Sequence, residues 1–119
     1  MVYGIMRGIL MRPHCEVITK FIIPAIRALV AIRLAQKYEM TQLEIAKKLG
    51  VTQPAISYYL HSKRGRIAIE KLKSDAHIMK LIERLADLIY NNRPQDELQR
   101  SLCEICMEIR SKRLLEVVV

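Results

Sequence analysis

The sequence predicts an all-α protein, a helix-turn-helix bundle extended by further helices at both ends. Three observations predict it. Half of the 119 residues (51%) are hydrophobic, yet only 5% are aromatic and Trp is absent, so aliphatic side chains must fill the core. Only four Gly and four Pro are present, too few for the many tight turns of a sandwich or barrel. Apolar residues recur at three- and four-residue spacing through most of the chain, the period of a helix with one buried face.

Residues 1–12 read as an irregular N-terminal extension, because Gly4 and Gly8 interrupt a short apolar run. From Pro13 to Tyr38 the spacing is helical, with Val17, Ile18, Phe21 and Ile22 on one face and Ile26, Leu29 and Val30 continuing it. Pro24 disfavours helical geometry at Ile23 and lacks an amide hydrogen, so a break or kink is expected there. Pro24 then suits the first turn of a helix ending near Tyr38.

Thr41-Gln42-Leu43-Glu44 has the form of a capping box and opens the next helix, with Leu43, Ala46 and Leu49 expected on its buried face. Gly50 ends that helix in a left-handed turn. Thr52 caps a second short helix, with Gln53 and Pro54 in its first turn, ending near Leu60. His61 to Arg66 reads as a basic loop, and Ile67 to Lys73 as a short helix. Ser74 is expected to begin a longer helix to about Asn91, with the stripe Ile78, Leu81, Ile82, Leu85, Leu88 and Ile89. After the loop Asn91 to Pro94, a last helix runs to about Lys112 with Leu98, Leu102, Ile105 and Ile109 inward. The division expected is an extension over 1–12, a helix-turn-helix domain over 13–73 with its motif at 41–60, and a helical assembly or sensing segment over 74–119.

Charge points to a polyanion. The formal net charge is +8, carried by the front of the chain: residues 1–40 hold six Lys/Arg against two Asp/Glu, and residues 41–73 hold seven against two. Residues 74–119 are close to neutral, with seven against eight. Clustered cations gain affinity for nucleic acid by releasing counterions from phosphates. No apolar run reaches membrane-spanning length. Met1 to Met11 contains Arg7 and no small-residue cleavage site, and the odd cysteine count does not suit a secreted disulfide framework, so a cytoplasmic location is expected.

Residues 41–60, TQLEIAKKLGVTQPAISYYL, combine these signals. A turn as short as Gly50-Val51-Thr52 sets two helices at a large angle. Ala46 is small where they approach, and Val51 and Ile56 fill the space between. Gln53, Ser57 and Tyr58 are left on the outer face of the second helix, where polar groups can reach base edges. Gln42, at the start of the first helix, is placed to donate to a phosphate, and Thr52 is counted among the DNA-binding residues. Lys63, Arg64 and Arg66 follow as phosphate contacts.

This stretch closely resembles the helix-turn-helix of the Cro/phage-repressor family, through Thr41-Gln42, Ala46, Gly50-Val51-Thr52-Gln53 and Ile56-Ser57, followed by Lys63-Arg64-Gly65. The resemblance implies a transcriptional regulator of double-stranded DNA, with the positions of Gln53 and Ser57 facing bases and that of Gln42 touching the backbone. A homodimer is the expected form, and the stripe Ile78, Leu81, Leu85 and Leu88 either builds its interface or covers the monomer's own core. A wider resemblance, to small archaeal regulators of this type, rests on Arg12-Pro13-His14-Cys15-Glu16, Ile23-Pro24-Ala25-Ile26-Arg27-Ala28-Leu29 and Cys103-Glu104-Ile105-Cys106. Those regulators carry a further Cys where this chain has Glu116. The alternative of another class is a protein-bridging, coactivator-like module that uses the same fold as a scaffold.

Cys103 and Cys106 lie three apart on one helical face, and Cys15 follows His14 at the other end of the chain. Three readings stay open: a zinc or iron–sulfur site, plain core packing, or a redox-labile pair that makes the regulator responsive. His61 and His77 read as surface side chains. The sequence holds no phosphate-cradling glycine loop, no paired carboxylates and no nucleophile with an identifiable base, so no enzyme is expected.

Overall fold

The computed structural model describes residues 22–112, and these are helical with no strand among them. Among the described residues six helices follow one another: α1 (Ile23–Tyr38), α2 (Gln42–Leu49), α3 (Gln53–His61), α4 (Lys63–Lys73), α5 (Ala76–Tyr90) and α6 (Gln95–Ser111). The expectations for the extension over 1–12, for residues 13–21 and for Cys15 lie outside the described residues.

α1 is the hub. It carries Pro24 in its first turn and buries Ala25, Ile26, Ala28, Leu29, Val30, Ala31 and Leu34. The repeated alanines let neighbouring helices approach closely, and α1 packs against α2, α3, α4 and α5. It ends at Glu39, whose left-handed φ of 52° returns the amide to the Leu34 carbonyl. α6 packs on α5, and their contact is closed by Ile78, Ile82, Ile105 and Ile109, all inaccessible to solvent.

Several boundaries differ from the sequence reading. Ser74 does not start α5. Its hydroxyl donates to the Lys71 carbonyl at the end of α4, and Asp75 caps α5 by accepting from the Ile78 amide at 3.0 Å. The basic loop at 63–66 is instead the first turn of α4, because the Ser62 hydroxyl accepts from the Gly65 amide at 2.9 Å and nucleates a helix there. Leu43 is 56% exposed and not on the buried face; Ile45 and Ala46 hold that place. Leu43 and Ile45 lie about 200° apart around the helix, so both cannot face α1.

Of the two uses open to the stripe on α5, dimer interface or the molecule's own core, the structure shows the second. Ile78, Leu81 and Leu85 are buried between α5 and its neighbours, with exposures of 0%, 8% and 5%. An exposed stripe would need α5 to be the outermost helix, and α6 covers it instead.

Candidate nucleic-acid interface

The site begins with two helix starts and the turn between α2 and α3. At α2, the Thr41 hydroxyl accepts from the Glu44 amide at 3.2 Å and the Glu44 carboxylate accepts from the Thr41 amide at 2.8 Å. The Thr41 amide, aided by its hydroxyl, holds the Glu44 carboxyl below the ordinary range. Gly50 turns the chain at φ 70°, and its amide and that of Val51 return to carbonyls of the last turn of α2. Thr52 then caps α3, its hydroxyl accepting from the Ala55 amide at 3.2 Å. Each cap between Thr41 and Ala55 is therefore local, and the sequence shows each of them.

These caps bring Gln42 and Gln53, both exposed, side by side at the first positions of their helices. The Gln53 side-chain Nε2 donates to Gln42 Oε1 at 2.8 Å. One amide hydrogen of Gln53 is thereby used, leaving its second hydrogen and its carbonyl oxygen. An apolar crevice of about 140 Å³, with Ile45, Ile56 and Leu60 in its wall, adjoins the pair. Thr52, Ser57 and Tyr58 are exposed along the same helix, Tyr58 by 75%. Ile56 and Val51 are half-buried between the helices, as expected of them.

Lys63, Arg64 and Arg66 fall in the first turn of α4, and Lys63 and Arg66 are exposed. No acidic residue shares that turn. Cations at the positive end of a helix dipole are unfavourable on their own, so the arrangement suits an anion. His61, exposed, contacts the Ser57 carbonyl at 2.8 Å through Nδ1 at the end of α3.

A polar latch fixes these elements to α5. Lys48, near the end of α2, donates to the carbonyls of Ile89 and Tyr90, each at 3.3 Å, and to the Asn92 side chain. Tyr38 stacks on Tyr90 with 3.7 Å between ring centres, and donates its hydroxyl to Asp87 at 2.8 Å. Lys37 pairs with the same carboxylate at 3.1 Å. Burial pushes the Asp87 carboxyl up, but the Tyr38 and Lys37 hydrogen bonds outweigh it and bring it below its ordinary value. Sequence reasoning missed this latch, since its hydrogen-bonded partners lie 41 to 50 residues apart and no short-range pattern links them.

The cysteines divide. Cys103 is exposed and Cys106 is half-buried on α6, both as free thiols. Burial, then the neighbouring Cys103, raises the Cys106 thiol, which keeps it protonated. Among the described residues no group of three or more His, Cys, Asp or Glu could hold a metal ion. Two thiols fall short of a four-ligand zinc or cluster site, so a site built on this pair needs ligands from beyond these residues. His77 lies on the surface, 3.6 Å from Glu108.

No helix among the described residues is long and apolar enough to cross a membrane. Comparison of the chain with protein-family models, curated proteins and solved structures gives no match.

Proposed function

We propose that this protein is a sequence-specific, double-stranded-DNA-binding transcriptional regulator of Cro/repressor type. It lays α3 in the major groove and acts as a homodimer. The observation that carries this reading is the exposed Gln42–Gln53 pair at 2.8 Å. With one hydrogen engaged by Gln42, Gln53 retains a donor and an acceptor, the pair that matches adenine N7 and N6. The amide nitrogen of Gln42 stays available to a backbone phosphate. Thr52, Ser57 and Tyr58 line the rest of the reading surface, and Lys63, Arg64 and Arg66 meet phosphates.

A protein-bridging module is the second reading, favoured by one observation. Leu43 on α2 and Tyr58 on α3 are large, exposed hydrophobic groups, and such groups also suit a protein partner.

Fluorescence anisotropy separates the two. A labelled duplex selected by the wild-type chain is titrated with Gln53→Ala, Gln42→Ala and the double variant. The regulator reading expects both single variants to weaken binding and the double to lose less than their sum, because the two amides act as one unit. Equal affinity of all four proteins for selected and scrambled duplexes contradicts it.

A further inference from the structure

We infer that the outer face of α6 is the homodimer surface, paired antiparallel with α6 of a second copy about a two-fold axis at Cys103. The inference rests on the dimeric part of the function proposed above. It replaces the α5 stripe, which the molecule's own core consumes.

α6 is amphipathic in an unusual way. Its inner side buries Ser101, Ile105 and Ile109 against α5. Its outer line runs through Asp96, Cys103 and Arg110, spaced seven residues apart, with Gln99 and Met107 between them, all exposed. Seven residues make close to two turns, so these side chains share one stripe. Met107, 63% exposed, lies one turn beyond Cys103 on this face, while the half-buried Leu102 and Cys106 pack toward the core. The stripe therefore has a small apolar centre, an acidic start and a basic end.

That order is self-complementary in one arrangement. With the two-fold axis at Cys103, Asp96 lies opposite Arg110 of the second copy and Arg110 opposite its Asp96. Each pair sits about 10 Å from the axis. Met107 falls beside Gln99 of the second copy, and a flexible thioether adapts to such a gap. A parallel pairing would set Asp96 against Asp96 and Arg110 against Arg110. Moving the axis to the level of Ile105 would set Arg100 against Arg110. Within the molecule Asp96 has only a loose contact of 3.9 Å to Arg100, with both side chains more than 70% exposed, so little is given up on pairing. One helix pair covers less than a standard interface of about 1,600 Å², which implies a weak dimer that two adjoining half-sites reinforce.

Sedimentation of the full chain without DNA tests this. Asp96→Arg and Arg110→Asp should each weaken the dimer about ten-fold, since two symmetric pairs are removed, and D96R/R110D should restore it. Mild oxidation of a C15S/C106S chain, which keeps Cys103 alone, should give a covalent dimer that D96R reduces. A wild-type monomer at about 100 μM, or single and double variants that dimerise alike, overturns the surface. Because no DNA is present, the result stands apart from duplex recognition. A monomer that still selects one half-site removes the α6 pairing and leaves the reader. A rescued dimer that selects no duplex removes the reader and leaves the pairing.

Discussion

At the residue scale, recognition is argued from one polar contact. The Gln53 side chain would be a flexible exposed amide were it not held by Gln42 at 2.8 Å. Ordering it before DNA arrives lowers the conformational entropy lost on binding. Gln53→Ala is therefore expected to cost about 1–3 kcal/mol on the preferred duplex and to relax selection at one base pair. Competitive binding with single-base variants of that duplex measures this, and unchanged discrimination would contradict it. Gln42→Ala should act more weakly and leave the preferred base the same, because it orients the reader without replacing it. The exposed place of Gln53 at the start of α3 was legible in the sequence, one residue after the Thr52 cap. Its tie to Gln42 was not, because two residues eleven apart meet only when the turn at Gly50 closes.

At the element scale, the caps carry the local structure. Gly50 occupies a left-handed conformation at φ 70°, and a Cβ added there would meet nothing within 4 Å. Gly50→Ala should thus destabilise through backbone strain alone, by about 1–2 kcal/mol, read as a lower midpoint in denaturant with an unchanged slope. Sequence reading found the caps at Thr41, Gly50 and Thr52 because each acts within four residues. It misplaced the start of α4, since Lys63-Arg64-Gly65-Arg66 looks like a solvated loop and only the Ser62 cap turns it into helix. This placement concentrates three cations on one helical turn. Replacing Lys63, Arg64 and Arg66 by Gln should weaken binding to every duplex alike. It should also flatten the salt dependence by about one unit for each phosphate no longer neutralised. A loss confined to the preferred duplex would refute the phosphate role.

At the scale of the whole molecule, α1 joins α2 and α3 to the α5–α6 hairpin through one continuous core. The sequence conveyed the helices and most inward positions, but not which apolar face another helix would cover. Amphipathic periodicity marks a buried stripe without saying whether the chain itself or a second copy buries it, and α5 shows the first outcome. Two junctions of the assembly are ionic. Asp75 is held below its ordinary value by Lys112, helped by the Ile78 amide, and Asp87 by Tyr38 and Lys37 against the cost of its burial. Depressed carboxyls bind fewer protons folded than unfolded, so their contribution is whole above about pH 5 and is lost as the pH falls through and below about 4. The melting temperature should be level on the upper side of that window and decline beneath it, and Asp87→Asn should make the decline shallower. The central claim is that these elements read base sequence, and selection from random duplexes tests it most directly. The account predicts one enriched motif, arranged as an inverted repeat, that Gln53→Ala alters at a single position of each half. Salt-labile binding to all duplexes with no enrichment would contradict it.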